Sequence, residues 1–259
     1  MSFNLKIKKS GRFFRVSKEG DMAYRIPRAR GQDLRDYPTY TIPEAATYLG
    51  MSRRTLQSWI ADDPIWKVSG ARFAVPLLSF RDVAQAYYIH IVRKHFHLSM
   101  RQTREVLDVV RKESRAQYPL LGNNVVLFFK HIFLIKPARG KQPRRNIDLT
   151  NNRQLGISEV IDLFKTRIKR DKKGESEKLF PWRYWVPRDE TQPVELDPQI
   201  MSGRLIVTGT RIPVQILLNR IQANESVSRL ADDYGIDETR INLAISHLKA
   251  PPRDSVSAS

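Results

Sequence analysis

Arg53, Arg54, Thr55, Gln57 and Ser58 crowd into the stretch MSRRTLQSWI, residues 51–60. Guanidinium, amide and hydroxyl groups at this density are suited to phosphates and to base edges in a major groove. Little else in the chain has the residue types for catalysis. His90, His95 and His97 fall close together, but no carboxylate stands at a metalloprotease spacing and no His-Glu-x-x-His is present. Asp62-Asp63 and Asp232-Asp233 are adjacent pairs, and neighbours on a helix point apart rather than at one metal ion. There is no phosphate-binding glycine loop and no Gly-x-Ser-x-Gly nucleophile turn. With no cysteine in the chain, disulfides, thiolate metal sites and cysteine nucleophiles are excluded together. The expectation is a binding protein and not an enzyme, with no cofactor and no metal. One further pair of cations draws notice. Arg204 and Arg211 lie in RLIVTGTRIPVQILL (204–218), which reads as an extended segment, a glycine turn, a second short extended segment and a helix.

Charge says what such a protein would bind. The 259 residues carry 45 Lys/Arg against 27 Asp/Glu, a formal +18. A balance this basic calls for a polyanion, nucleic acid before a membrane surface. The excess is uneven. Residues 1–35 carry ten bases and three acids; residues 36–117, twelve and eight; residues 118–189, sixteen and seven; residues 190–259, seven and nine. The last segment is therefore not drawn to nucleic acid by net charge, and the two ends divide the work. No leading segment has the apolar core of a signal peptide. No apolar run reaches the roughly 18 residues that a membrane span needs. A cytoplasmic protein without a membrane partner is expected.

The elements that position these residues are legible from caps and periodicity. Residues 1–36 read as a basic arm in which RIPRARG (25–31) suits phosphates, or as a poorly ordered tail or short hairpin. Thr41-x-x-Glu44 forms a capping box ahead of a short helix with Ala45, Ala46 and Leu49 on its apolar side, and Gly50 ends it. Ser52 caps a second helix that buries Leu56, Trp59 and Ile60 and exposes the polar set. WKVSGARFAVPLLSF (66–80) has extended character on both sides of Ser69-Gly70, with Lys67 and Arg72 placed to touch a nucleic-acid backbone. Ser79 and Ser99 each open a longer helix. Residues 118–189 read as a small basic α+β module, with strands near 125–127, 132–135, 146–149, 166–169 and 178–185 and a helix capped by Ser158. Within it LFPWRYWVP (179–187) reads as a strand edge packed on a neighbour ahead of a base-stacking platform, and PARGKQPRR (137–145) as a solvated loop. In residues 190–259, Gly203 and Gly209 permit tight turns. Helices follow from Pro213, from Glu225-Ser226 to Gly235, and from the cap Asp237. The overall expectation is a mainly α fold with small β elements. It comprises the arm (1–36), a winged helix-turn-helix (37–117), the central module (118–189), and a trihelical, helix-turn-helix-like domain behind a short β-hairpin (190–259).

Two resemblances sharpen this. Tyr-Thr-Ile-Pro-Glu-Ala-Ala (40–46), Met-Ser-Arg-Arg-Thr-Leu (51–56) and Leu98-Ser99 resemble the DNA-binding domain of the MerR family, over about residues 39–117. Trp59 stands where that family often has tyrosine, no long coiled coil follows, and no cysteines serve metal or redox sensing. The resemblance implies DNA binding and not effector sensing. It assigns operator contact to Ser52, Arg53, Arg54, Thr55, Gln57 and Ser58, with Lys67 and Arg72 on the flanking backbone. Gly203 and the run Gly209-Thr-Arg-Ile-Pro-Val214, with Glu225-Ser226-Val227 and Asp233-Tyr234, resemble the antitoxin domain called domain of unknown function 433, over about residues 195–248. That implies a bacterial or archaeal VapB-type antitoxin of a type II toxin–antitoxin system, paired with a PIN-like ribonuclease toxin. Such an antitoxin would bind its own promoter DNA, as a homodimer or a hetero-oligomer with the toxin. In that setting Arg204 and Arg211 would meet the carboxylates of the toxin's metal site. The plainer role for Arg211 is to pair with Asp232 or Asp233 and hold the fold. The competing reading of the whole chain is a stand-alone MerR-like regulator whose C-terminal module senses a ligand or reads a second DNA site.

Overall fold

A computed structural model of the protein describes residues 31, 33–62, 64–71, 75–96, 98–114, 117–121, 125–128, 131–136, 145–148, 167–183 and 191–249. The expectations for the arm before residue 31, for Arg72, for residues 137–144, for the Ser158 helix and for residues 184–190 lie outside this set.

Strand β1 (Tyr40–Thr41) leads into helix α1 (Ile42–Leu49). The Thr41 hydroxyl accepts from the Glu44 N–H at 3.3 Å and the Glu44 carboxylate accepts from the Thr41 N–H at 3.2 Å, a reciprocal capping box. Ile42, Ala45, Ala46 and Leu49 recur at helical spacing and are buried. Gly50 stops the helix at φ +64, a conformation that costs a side chain-bearing residue strain. Ser52 then caps α2 (Arg53–Gln57), which widens into a π-type turn over Ser58–Asp62.

The segment after α2, read as extended on both sides of Ser69-Gly70, pairs both within itself and with β1. Strand β2 (Leu77–Leu78) lies antiparallel to β1, with Tyr40 opposite Leu78 and Thr41 opposite Leu77. Gly70 contributes one bridge to Leu77. A side chain there would bring Cβ to 2.2 Å from the Leu77 carbonyl, so the close approach requires glycine.

Ser79 and Asp82 cap α3 (Phe80–Phe96) reciprocally: Asp82 N–H donates to Ser79 Oγ at 3.2 Å and Ser79 N–H donates to Asp82 Oδ2 at 2.9 Å. The buried Asp82 carboxylate also accepts from the Trp66 indole N–H at 2.9 Å and the Ser69 N–H at 3.0 Å. A buried carboxylate is tolerated when hydrogen bonds satisfy it. Phe80, Val83, Ala84, Tyr87 and Ile89 are all buried, so α3 is the central helix and not a surface one. Helix α4 (Met100–Ser114) is capped by Ser99 and Gln102 in the same reciprocal manner, and it buries Thr103, Val106, Leu107 and Val110.

In the central segment, β3 (Val125–Phe128), β4 (His131–Lys136) and β5 (Arg145–Asp148) form an antiparallel sheet in that order. Strands β6 (Ile168–Arg170) and β7 (Ser176–Leu179) make a hairpin. Each expected strand is found within one or two residues at its start. The last is much shorter than expected: it ends at Leu179 because Pro181, which has no N–H to give a ladder, follows almost at once.

The C-terminal segment opens with β8 (Val194–Glu195) and β9 (Ile206–Val207), an antiparallel pair. The expected hairpin between the two extended pieces of 204–214 is reduced to one bridge, Ile206 to Pro213, since proline again cannot extend the ladder. Helices α5 (Val214–Gln222), α6 (Val227–Tyr234) and α7 (Glu238–Lys249) follow.

These segments share one core. A single cluster of buried side chains runs from Tyr40 through Leu56, Phe80 and Val110 to Leu179, Leu217 and Ile245. Leu179 and Leu196 exchange backbone hydrogen bonds at 3.0 and 2.8 Å, joining β7 to the C-terminal segment. Lys178 bridges the buried carboxylates Glu195 (3.1 Å) and Asp197 (3.2 Å) across the same seam. Arg81 at the start of α3 reaches Asp36 at 3.0 Å and also pairs with Glu175, while Arg35 reaches Asp171 at 2.8 Å. Among the described residues no helix is long and apolar enough to cross a membrane.

Candidate nucleic-acid interface and C-terminal face

Helix α2 sits on an apolar base. Leu56, Trp59 and Ile60 point into the core, and the Arg93 guanidinium of α3 lies 5.5 Å over the Trp59 ring. Such a cation–π contact braces the end of the helix. On the outer side, Arg53 and Arg54 are exposed, and Gln57 and Ser58 are half-buried. Ser52 and Thr55 divide off from this group. The Ser52 hydroxyl accepts from the Thr55 N–H at 3.0 Å, and the two hydroxyls lie 2.7 Å apart. They hold the helix start, and Arg53, Arg54, Gln57 and Ser58 remain as the reaching side chains. Lys67 is exposed beyond the π-type turn. Arg111 of α4 donates to the Ile65 carbonyl at 2.9 Å and pins the segment that carries Lys67.

At the other end of the chain, Gly209 takes φ +72 and Gly203 takes φ +80, the conformations their sequence positions implied. The Thr210 hydroxyl donates to the Val207 carbonyl at 2.8 Å and accepts from the Ile212 N–H at 3.0 Å, so one side chain closes the turn from within. Arg204 and Arg211 are exposed, and neither has an ion pair among the described residues. Asp233 goes to Arg220, not Arg211. Arg220 also grips Glu225 with Nε–Oε1 at 2.9 Å and Nη2–Oε2 at 2.5 Å, and lies 5.3 Å over the Tyr234 ring. The Arg220 guanidinium holds the Glu225 carboxyl below the usual carboxylate range. Arg220 is thus the arginine that ties α5 to α6. Its sequence position gave no sign of this, because the three partners converge only when the helices pack.

His247, isolated in the sequence, gains its partners only in the fold. Fully buried on α7, it stacks on Trp182 with ring centroids 5.9 Å apart. The Tyr48 carbonyl, at the end of α1, lies 2.7 Å from Nε2, and the Arg183 backbone N–H donates to Nδ1 at 3.4 Å. An acceptor on one side and a donor on the other select the neutral ring with its proton on Nε2. Burial pushes His247 down to about 4, against the pull of the Tyr48 carbonyl and with the Arg183 charge adding to the fall. Beside it, Arg183 packs against Gly50, where a Cβ would stand 2.7 Å from Nε. Tyr40 completes the seam: its buried hydroxyl would lie 2.2 Å from a Cβ on Gly203. The turn between α1 and α2 is therefore built against α7 and the residues before β8. Among the described residues no group of His, Asp and Glu could hold a metal ion.

Residues 194–247 match the family described as Protein of unknown function (DUF433). The matched segment begins at β8 and ends at His247, so it takes in the glycine turn, α5, α6, most of α7 and the histidine that meets α1. Over 236 residues the chain is 22% identical to "Putative antitoxin VapB45" of Mycobacterium tuberculosis (strain ATCC 25618 / H37Rv), covering 83% of this chain and 95% of that protein. A crystal structure of Rv2018 from Mycobacterium tuberculosis aligns with a TM-score of 0.56 at 20% identity, over 81% of this chain and 98% of that one. At that identity the last likeness speaks for the fold alone.

Proposed function

We propose that this protein is an antitoxin with two binding faces. The C-terminal segment binds and silences a PIN-like ribonuclease toxin encoded by an adjacent gene. The α1–α2 pair, read as a MerR-like helix-turn-helix, binds operator DNA at the chain's own promoter. The observation that carries this reading is extent: the likeness to a protein with an antitoxin name spans 83% of this chain and 95% of the other. It therefore takes in both faces and not one module.

The geometry supports the division of labour. Arg53 and Arg54 are exposed on a helix whose base is locked by Leu56, Trp59 and Ile60. Rigid presentation of guanidinium groups favours phosphate and guanine contacts, with Gln57 and Ser58 reading beside them and Lys67 on the flanking backbone. Two half-sites call for two such helices, hence a homodimer or a hetero-oligomer with the toxin on the operator. Arg204 and Arg211, exposed and without ion pairs among the described residues, are free to meet acidic groups of the toxin. The protein acts by binding, without catalysis, cofactor or metal, in the cytoplasm.

The test is co-expression with the adjacent gene product, tagged on that product alone. Co-elution in moderate salt and protection of growth support the reading. A chain that elutes alone beside a harmless neighbour overturns it. Arg204→Ala and Arg211→Ala should weaken co-elution, and unchanged capture by both removes the arginines from the account.

A further inference from the structure

A hollow of about 660 Å³ opens between the π-type turn after α2, residues 64–71 and α4. Its size is that of a small-molecule site. Ile60, Ile65 and Val68 line it with side chains that are otherwise buried, and Ala71 is exposed at its edge. The walls are pinned from both sides. The Ile65 N–H donates to the Trp59 carbonyl at 2.8 Å, and the Ile65 carbonyl accepts from Arg111 Nη2 at 2.9 Å. The backbone here is thus tied to the π-type turn and to α4 at once. The Ala71 N–H donates to the Val68 carbonyl at 3.3 Å and closes the turn beyond. A recess held in this way needs little ordering when a ligand enters.

The polar lining is cationic. Lys67 is exposed and has no ion pair among the described residues. Arg111 turns Nη1 to Asp108 at 3.0 Å and Nη2 to Ile65, so Asp108 offsets its charge. The ammonium of Lys67 is the charge left over. The Gln117 amide adds a neutral group and donates to the Tyr118 hydroxyl at 3.4 Å. Among the described residues no carboxylate lines the hollow. Asp62 is exposed on the π-type turn outside the lining, and Asp82 is buried, with its oxygens committed to Trp66, Ser69 and Ser79. Apolar walls beside one uncompensated ammonium select a ligand with an apolar body and a single negative charge.

We infer that this hollow is a binding site for a small apolar carboxylic acid, with the carboxylate on Lys67 Nζ and the body against Ile60, Ile65 and Val68. The same ammonium is the one proposed above to touch the operator backbone. A carboxylate seated there takes a contact from a DNA phosphate, so ligand and operator compete for Lys67. The competition rests on the operator reading above; the site itself does not.

The probes are 1-naphthoate and its uncharged counterpart 1-naphthamide, titrated calorimetrically into the full chain. Naphthoate is expected to bind one to one and about tenfold more tightly than the amide, the strength of one charge-assisted hydrogen bond. Lys67→Gln should bring the two probes close to equal affinity, and Ala71→Phe, which fills the mouth, should weaken both. Circular dichroism melting checks that the variants fold; Lys67→Gln changes an exposed side chain and carries the test if Ala71→Phe does not fold. Equal binding of the two probes to the wild type overturns the site. So does naphthoate binding left unchanged by either folded variant, which puts the anion elsewhere on a chain of formal charge +18. Naphthoate binding that weakens as the protein is concentrated overturns it in favour of a second copy of the chain in the hollow. Fluorescence anisotropy with promoter duplex DNA tests the competition: saturating naphthoate should weaken binding and reduce the salt slope by about 1, one phosphate contact. Unchanged DNA affinity with naphthoate bound overturns the competition. A wild type that does not bind the promoter DNA overturns the operator reading and the competition together, while the calorimetry still decides the site.

Discussion

The MerR-like resemblance assigned operator contact to Ser52 and Arg54 alike, although Ser52 also read as a helix cap, and the structure gives the two different surroundings. Ser52 spends its hydroxyl on the helix start, while Arg54 is exposed. Arg54→Ala should therefore weaken binding to promoter duplex DNA and reduce the salt slope by about 1 if it neutralises one phosphate. Relaxed specificity at one base position with an unchanged slope would mark it as a base reader instead. Fluorescence anisotropy across a salt series distinguishes the two. His247 makes a second residue-scale prediction. Its folded-state value of about 4 lies below the unfolded 6.5, so above pH 6.5 both states hold the neutral ring and stability is whole. As pH falls below 6.5 the unfolded chain takes the proton first, and stability is lost progressively until about pH 4. The loss from this one group totals about 3 kcal/mol. Urea unfolding at pH 7 and pH 5 should show it, and His247→Gln should flatten the difference over that window.

At the scale of elements, local chemistry did most of the work. The boxes Thr41/Glu44, Ser79/Asp82 and Ser99/Gln102 place helix starts by satisfying N–H groups within three residues, so a short stretch of sequence is enough to find them. Glycine stops at 50 and 235 are equally local. Strand pairing was less legible, because which strand a segment meets is decided at a distance: Leu77–Leu78 pairs with Tyr40–Thr41 across the whole helix pair. The seam at Gly203 allows a test. Gly203→Ala combines a positive φ with a contact at 2.2 Å to the Tyr40 hydroxyl and should cost about 1–3 kcal/mol in thermal stability. Tyr40→Phe removes that oxygen, which has no hydrogen-bond partner among the described residues, and should be near neutral alone while recovering part of the loss in the double variant. Equal losses with and without the hydroxyl would show that φ alone sets the cost.

At the scale of the molecule, one core joins the first helix pair, the β6–β7 hairpin and the C-terminal helices. Unfolding should be a single transition, with tryptophan fluorescence and far-ultraviolet circular dichroism coinciding across a urea series. Trp59 and Trp66 report from the front and Trp182 from the seam with α7. Two separated transitions would show that the C-terminal segment folds apart from the front. The shared core also ties the two proposed binding faces mechanically, since Gly50, in the turn before α2, is packed on Arg183 and the Tyr48 carbonyl at the end of α1 meets His247.

The order of helices, their caps and stops, the basic front and the near-neutral end were determined by the sequence alone, because each depends on neighbours within a turn of chain or on summed charge. So was the choice of Arg53, Arg54 and the glycine turn as places to look. Tertiary structure decided which arginine holds the C-terminal helices, Arg220 rather than Arg211, and made a neutral, buried link of the isolated His247. The structure also gives Gly50 and Gly235 nearly the same left-handed backbone conformation, each nine residues after the cap of the helix it ends. The arginine and histidine links depend on groups 13 to 199 residues apart meeting in one low-dielectric interior, where desolvation and hydrogen-bond geometry, not spacing along the chain, set the outcome.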